Sequence, residues 1–129
     1  MLDRIDYEAS GGQEIFLQYV TPDKKKLFAL LRLRIPNNYN RGYFIHTLRN
    51  AAIIREVHTY GKLVSINRKD SASPQHIGLG KKLIQVAEKI TKREFGLDKI
   101  VVISGVGVRE YYRKLGYKLM NTYMVKRLK

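Results

Sequence analysis

The feature that most constrains this chain is the stretch Gln75-His76-Ile77-Gly78-Leu79-Gly80, which runs straight into Lys81-Lys82-Leu83-Ile84. From Leu79 to Phe95 the apolar residues Leu79, Leu83, Ile84, Val86, Ala87, Ile90 and Phe95 recur at helical spacing, and Lys82, Gln85, Lys89, Lys92 and Arg93 fall on the other side. Two glycines one residue apart at the mouth of such a helix let backbone N–H groups approach a ligand with no Cβ in the way. The first N–H groups of a helix are unpaired and carry partial positive charge, so an anion is stabilised there. Lys81 and Lys82 sharpen the point, because cations in a first helical turn are unfavourable unless an anion offsets them. The stretch reads as a seat for a phosphate-bearing ligand. The plainer reading, that Gly78 and Gly80 only let a loop turn into a helix, stays open on spacing alone.

Around this helix the pattern alternates between extended and helical. Residues 1–12 end in Ser10-Gly11-Gly12 and read as a lead-in strand or loop. Glu14–Val20 and Leu27–Ile35 are strands joined through Thr21-Pro22-Asp23 and expected to pair as an antiparallel hairpin, with Leu31 and Leu33 buried and Arg32 and Arg34 on a basic face. Pro36 to Gly42 is a loop, and Tyr43–Leu48 is ambiguous between strand and helix. Ala52–Tyr60 alternates, with Ile53, Val57 and Thr59 on one face against Ile54, Glu56, His58 and Tyr60 on the other; after Gly61 a short extended run follows at Leu63–Ile66. Lys99–Ser104, with Ile100-Val101-Val102-Ile103, reads as a strand buried on both faces. A short helix from Val108 to Leu115, closed by Gly116, and a strand pair about Asn121-Thr122 complete the order. The expectation is one α/β (α+β) domain, residues 1–129, with a mixed central sheet flanked by helices.

Charge narrows the partners. A formal charge of +14 on 129 residues favours a polyanion such as nucleic acid, or an acidic protein. There are no cysteines, which removes disulfides, thiolate metal sites, iron–sulfur clusters and a cysteine nucleophile. Three scattered histidines have no metal-ligand spacing, and His76 is expected at the surface. No apolar run approaches the roughly 20 residues of a membrane span, and Met1-Leu2-Asp3-Arg4 lacks a secretory core. No membrane association is expected, and a cytoplasmic setting is the default.

Strand, glycine turn, helix, buried strand, tyrosine-bearing short helix is the order of parts in GNAT acetyltransferases. Gln75 to Gly80 resembles their Q-x-x-G-x-G acetyl-CoA signature. Ile103-Ser104-Gly105-Val106-Gly107-Val108-Arg109, with Tyr111-Tyr112-Arg113-Lys114-Leu115-Gly116-Tyr117, is similar to the C-terminal acetyltransferase domain of the catalytic subunit of Elongator. Arg55-Glu56-Val57-His58-Thr59-Tyr60-Gly61 resembles that family's R-E-L-H-V-Y-G strand, and residues Ile5 to Gly12 and Leu30 to Arg34 also match, so the likeness runs nearly end to end.

The resemblance implies a GNAT acyltransferase fold, acetyl-CoA as cofactor and tRNA as partner, with the acetyl group serving wobble-uridine (carboxymethyluridine) modification. It implies a diphosphate held by Gln75, Gly78, Leu79, Gly80 and Lys81, and an acyl arm along Glu56, Val57, His58 and Thr59. Tyr112 matches the position of the proton donor to the leaving thiolate. Tyr111 and Tyr112 are about 100° apart on a helix, so one is expected in the core and one in the site. Glu56 and His58 share a strand face, where Glu56 is a candidate base, although such a pair is more often a structural hydrogen bond. Arg32, Arg34, Arg41, Arg49, Arg55, Lys62, Arg68 and Lys69, with Tyr39, Tyr43 and Tyr60, are candidates for an RNA-facing surface. The family's radical SAM domain has no room or cysteines here, so a separate radical SAM domain or other Elongator-type subunits are the implied partners. Two alternatives remain at this point: a protein lysine acetyltransferase, and a non-catalytic tRNA-binding module with a vestigial acetyl-CoA pocket.

Overall fold

A computed structural model of the chain describes residues 1–36, 50–60, 78–105 and 108–128. Among them run β1 (Leu2–Ala9), β2 (Gly12–Val20), β3 (Leu27–Pro36), β4 (Ala51–Thr59), α1 (Leu79–Arg93), β5 (Lys99–Val102), α2 (Arg109–Lys114), β6 (Lys118–Met120) and β7 (Tyr123–Arg127). The described strands form one seven-stranded sheet in the order β1-β2-β3-β4-β5-β7-β6. Every neighbouring pair is antiparallel except β4 and β5, so the sheet is mixed as expected. The ambiguous Tyr43–Leu48, the run at Leu63–Ile66, Gly61, Gln75, His76 and the candidate RNA-facing residues Tyr39, Arg41, Tyr43, Arg49, Lys62, Arg68 and Lys69 lie outside the described residues.

The sequence underrates β1. Ser10 and Gly11 both take positive φ, 49° and 76°, as a two-residue turn must to match the twist of its strands. That turn sets Ala9 opposite Gly12 and makes β1 a full eight-residue partner of β2. Arg34 fastens the turn: its guanidinium donates to the carbonyls of Ala9 (3.0 Å) and Ser10 (2.7 Å) and to the buried carboxylate of Glu14 (2.7 Å). At the far end Arg4 forks onto Glu94 (2.7 and 2.8 Å) and Asp6 (2.8 and 2.9 Å), tying the edge strand to the C-terminal end of α1. This guanidinium holds the carboxyls of Asp6 and Glu94 below their ordinary range.

The core follows from the two periodicities. Leu83, Ile84, Ala87 and Ile90 of α1 meet Ile15 and Leu17 of β2, Leu31 and Leu33 of β3, Ile54 of β4 and Ile100 of β5, all nearly or wholly buried. Each such side chain contributes roughly 1.5–3 kcal/mol relative to exposure. α1 stops where Gly96 takes φ +64° and its N–H caps the carbonyl of Lys92. β5 is buried through Val102, but Ile103, expected inside, is 56% exposed because the sheet opens at that residue.

Two tyrosines complete the core. Tyr117 is 2% exposed, donates to Glu88 Oε2 on α1 (2.8 Å) and stacks edge-on against Tyr112. Glu88 also receives Lys126 of β7 (3.2 Å), so its charge is met inside the protein. Burial pushes the Tyr112 phenol up to about 12, and burial together with Glu88 raises that of Tyr117 further. Both groups hold their protons longer in the folded chain than in the unfolded one. The stability they confer is therefore complete below about pH 10 and is lost as pH rises toward 12, Tyr112 accounting for about 3 kcal/mol. Alkaline titration at 295 nm should show these two phenols ionising only together with unfolding; early, reversible ionisation of both in the folded protein would contradict the burial account.

Candidate active site

The site is built where the sheet splits. Pairing of β4 with β5 runs only from Ala51↔Lys99 to Ile54↔Val102, with a last long bond from Ile103 N–H to the carbonyl of Ile54 (3.4 Å). β4 continues to Thr59, bonded to β3 alone through Leu31↔Val57, Leu30↔His58 and Ala29↔Thr59. Among the described residues, the other edge of Glu56–Thr59 has no strand partner. Its peptide groups face a cleft of about 860 Å³, closed opposite by Ile103–Gly105 and α2 and at one end by the start of α1.

A β-bulge aims this edge. Arg32 pairs with Glu56 and Leu33 with Ile54, leaving Arg55 as the extra residue. The bulge reverses the alternation read from the sequence: Ile54 and Val57 both pack in the main core, whereas Ile53 belongs to the small cluster on the opposite face. An unbroken period of two puts Ile53 with Val57 and Ile54 with Glu56; one inserted residue undoes both assignments.

The two glycines have separate reasons. Gly78 precedes α1 with φ +80°, where a side chain is strained, and among the described residues no side chain caps the helix. Gly80 is needed for close approach: a Cβ there would lie 3.3 Å from Thr59 Cγ2 and 3.5 Å from the Tyr111 hydroxyl. Gly78, Leu79, Gly80 and Lys81 therefore line the cleft at the N-terminus of α1, together with Glu56, Val57, His58, Thr59 and Tyr112. Gln75 lies outside the described residues.

Glu56 is held from both sides. Arg32 donates to its Oε1 (3.1 Å) and His58 Nε2 lies 2.9 Å from Oε2. Arg32, then His58, keeps the carboxyl below its ordinary range. With both oxygens engaged, Glu56 is placed to orient the imidazole; the half-exposed His58 ring is the freer of the two to meet an acceptor. Arg32 escaped the sequence reading as a site residue because its part depends on cross-strand register, which no local pattern reveals.

The tyrosine pair differs from the one-in, one-out expectation. Tyr112 is 6% exposed and joins the main core, Tyr111 is 44% exposed, and both line the cleft with rings edge-to-face at 5.2 Å. Burial raises both phenols, so each is a protonated donor at neutral pH. Buried Arg32 Nε and Ser104 Oγ also face this region without a hydrogen-bond partner among the described residues, polar atoms that a ligand would satisfy. No group of three metal-ligating side chains occurs among the described residues.

A mixed sheet that splits beside an uncapped helix start is the architecture of the GNAT acetyltransferases. An acetyltransferase of the GNAT family from Staphylococcus aureus Mu50 superposes on 93% of this chain, which covers 70% of that one, with a TM-score of 0.55 at 18% identity. The fold is thus a GNAT fold. Sequence goes further. Human Elongator complex protein 3 is 46% identical over 99% of the chain, and the tRNA uridine(34) acetyltransferase of Dehalococcoides mccartyi is 46% identical over 98%. Elp3 of the archaeon Methanocaldococcus infernus, solved with residues 1–46 deleted, matches 99% of the chain at 45% identity and a TM-score of 0.84. Over nearly its whole length the chain is similar to one domain-sized part of these Elongator complex protein 3 relatives. It spans 23% and 28% of the two sequence relatives' lengths and 30% of the archaeal structure. It matches no protein-family model.

Gly78→Ala and Gly80→Ala should separate the two glycine roles. The first places a side chain at positive φ in open space and should cost about 1–2 kcal/mol of stability. The second crowds Thr59 and Tyr111 and should weaken binding of a ligand in the cleft, probed with acetyl-CoA, with a smaller change in melting temperature, read by calorimetry and thermal denaturation of each variant.

Proposed function

We propose that the domain binds acetyl-CoA and passes on its acetyl group for modification of wobble uridine in tRNA. The carrying observation is the unpaired edge of β4 opening beside the bare start of α1. It supports a ligand with a diphosphate at one end and an amide-bearing arm at the other, since the arm can pair with the strand edge as an added strand would. Gly78, Leu79, Gly80 and Lys81, with Gln75, hold the diphosphate; Glu56, Val57, His58 and Thr59 hold the arm. Acetyl-CoA supplies an acyl group activated by a thiol leaving group. The acceptor class rests on the names of the relatives, one of which is a tRNA uridine(34) acetyltransferase. The chain is a fraction of their length, and the rest of the uridine chemistry falls to a radical SAM domain or other Elongator-type subunits.

Tyr112 serves at the sulfur. A phenol at about 12 is a poorer acid than a thiol near 8.5, so complete proton transfer from Tyr112 is uphill by roughly 5 kcal/mol. Tyr112 therefore acts mainly by donating a hydrogen bond as negative charge grows on sulfur. Glu56, fixed by Arg32, holds His58 toward the acceptor side. The basic charge of the chain agrees with a nucleic-acid substrate.

Titration calorimetry with acetyl-CoA, followed by thiol release with and without tRNA, tests the reading. Binding with tRNA-stimulated release is expected. No heat with acetyl-CoA leaves only a nucleic-acid-binding module, and transfer to lysine peptides without tRNA stimulation moves the assignment to protein acetylation. Tyr112→Phe should slow thiol release on the order of 10²-fold while acetyl-CoA affinity changes by less than about twofold. Equal losses in binding and turnover would make Tyr112 a packing residue.

A further inference from the structure

The arginines that the sequence offers as an RNA-facing surface on β3 and β4 are engaged inside the domain. Arg34 is bound to Glu14 and two carbonyls, Arg32 to Glu56, and Arg55 lies 3.6 Å from Glu14. The free cations are elsewhere. Along α1 the outward positions are Lys81, Lys82, Gln85, Lys89, Lys92 and Arg93, all exposed. At 100° per residue they fall within about 120° of arc and span about 18 Å. None of these five cations has a carboxylate partner among the described residues. The nearby acids are already used: Glu88 by Tyr117 and Lys126, Glu94 by Arg4.

The stripe has relief. Lys89, Lys92 and Arg93 border a shallow groove of about 420 Å³ with Gln85, Leu128 and Glu88, whose charge is met by Lys126. Nearer the start of α1, Lys81 and Lys114 share a notch of about 190 Å³ with Gln85, Glu88 and Lys126, and Lys81 also lines the candidate cleft. The basic track thus runs continuously from the C-terminal turns of α1 to the mouth of the site.

Resting on the tRNA reading above, we propose that this outer face of α1 is the domain's RNA-docking surface, and that it tracks the phosphates of a double-stranded stem. The stripe contains no aromatic side chain on which an unpaired base could stack, and reading of single-stranded RNA depends on such platforms. It contains evenly exposed cations, which recognise backbone charge and not sequence. A stem laid along α1 runs toward Lys81 and so brings the adjoining loop toward the cleft.

The test uses the 129-residue chain and purified tRNA. Lys89→Gln/Lys92→Gln/Arg93→Gln leaves Lys81, Lys82 and the cleft untouched and keeps helix propensity nearly constant. Lys25→Gln/Lys26→Gln/Lys118→Gln removes the same charge from exposed positions elsewhere. The α1 triple should lose on the order of 10²-fold in tRNA affinity at 0.1 M salt, and its plot of log affinity against log salt should flatten by about 2 to 3 units. Its acetyl-CoA binding and melting temperature should match the unsubstituted chain, and a minimal RNA duplex should compete with tRNA. Equal losses in the two triples, or no loss in either, would overturn the docking face while leaving the tRNA reading intact. Failure of the unsubstituted chain to bind tRNA would overturn the reading itself and this surface with it. Competition by an acidic polypeptide but not by the duplex would assign the stripe to a protein partner.

Discussion

Four residues of parallel ladder, Ala51–Ile54 against Lys99–Val102, hold the two halves of the sheet together, and the site exists because that ladder stops. Had β5 continued beside β4, the peptide groups of Glu56–Thr59 would be consumed by backbone pairing and there would be no cleft. Two local causes act at the same level. The extra residue Arg55 turns β4, and Ile103 leaves the sheet for the solvent side of the opening. The start of α1 lies at this gap because Leu83, Ile84 and Ala87 are locked into the core beneath it. Helix dipole, bare amides and strand edge thus converge through packing, with no side-chain network required to assemble them.

Charge is partitioned along the same division. Cations on the β2–β3–β4 surface are matched by buried or half-buried carboxylates and serve to hold turns and fix Glu56. Cations on the outer face of α1 have no such partners among the described residues, and Lys81 joins that face to the cleft. A net charge alone says only that a polyanion is favoured. Knowing which arginines are neutralised internally converts that statement into a direction on the molecule.

Much of this was legible beforehand because it is local. The 3.6-residue period of α1, the glycines at its start, the apolar run of β5 and the closing glycines each carry their own signal, and together they give an α/β domain with a mixed sheet, whose order of parts resembles the GNAT acetyltransferases. Gly78 and Gly80 illustrate the limit: spacing marked both, but only the structure separates a backbone angle from a close approach to Thr59 and Tyr111. What stayed hidden is non-local. The bulge at Arg55 has no compositional mark, so the faces of β4 were inverted beyond Ile54. The pairing of Arg32 with Glu56 follows from the β3–β4 register, and an alternating Leu-Arg strand looks identical whether its arginines face RNA or a neighbouring carboxylate.

The same reasoning explains how one short helix can carry two tyrosines into one site. α2 is only six residues long, too short to be stable by itself, so its orientation is set by what it packs on. Tyr112 is clasped between Tyr111 and Tyr117, and Tyr117 is anchored to Glu88 on α1. The buried phenol that lines the cleft is therefore positioned from the helix that begins at the glycine turn. A disturbance of α1 packing at Glu88 should reach Tyr112 through one intervening ring, which couples the middle of that helix to the cleft wall.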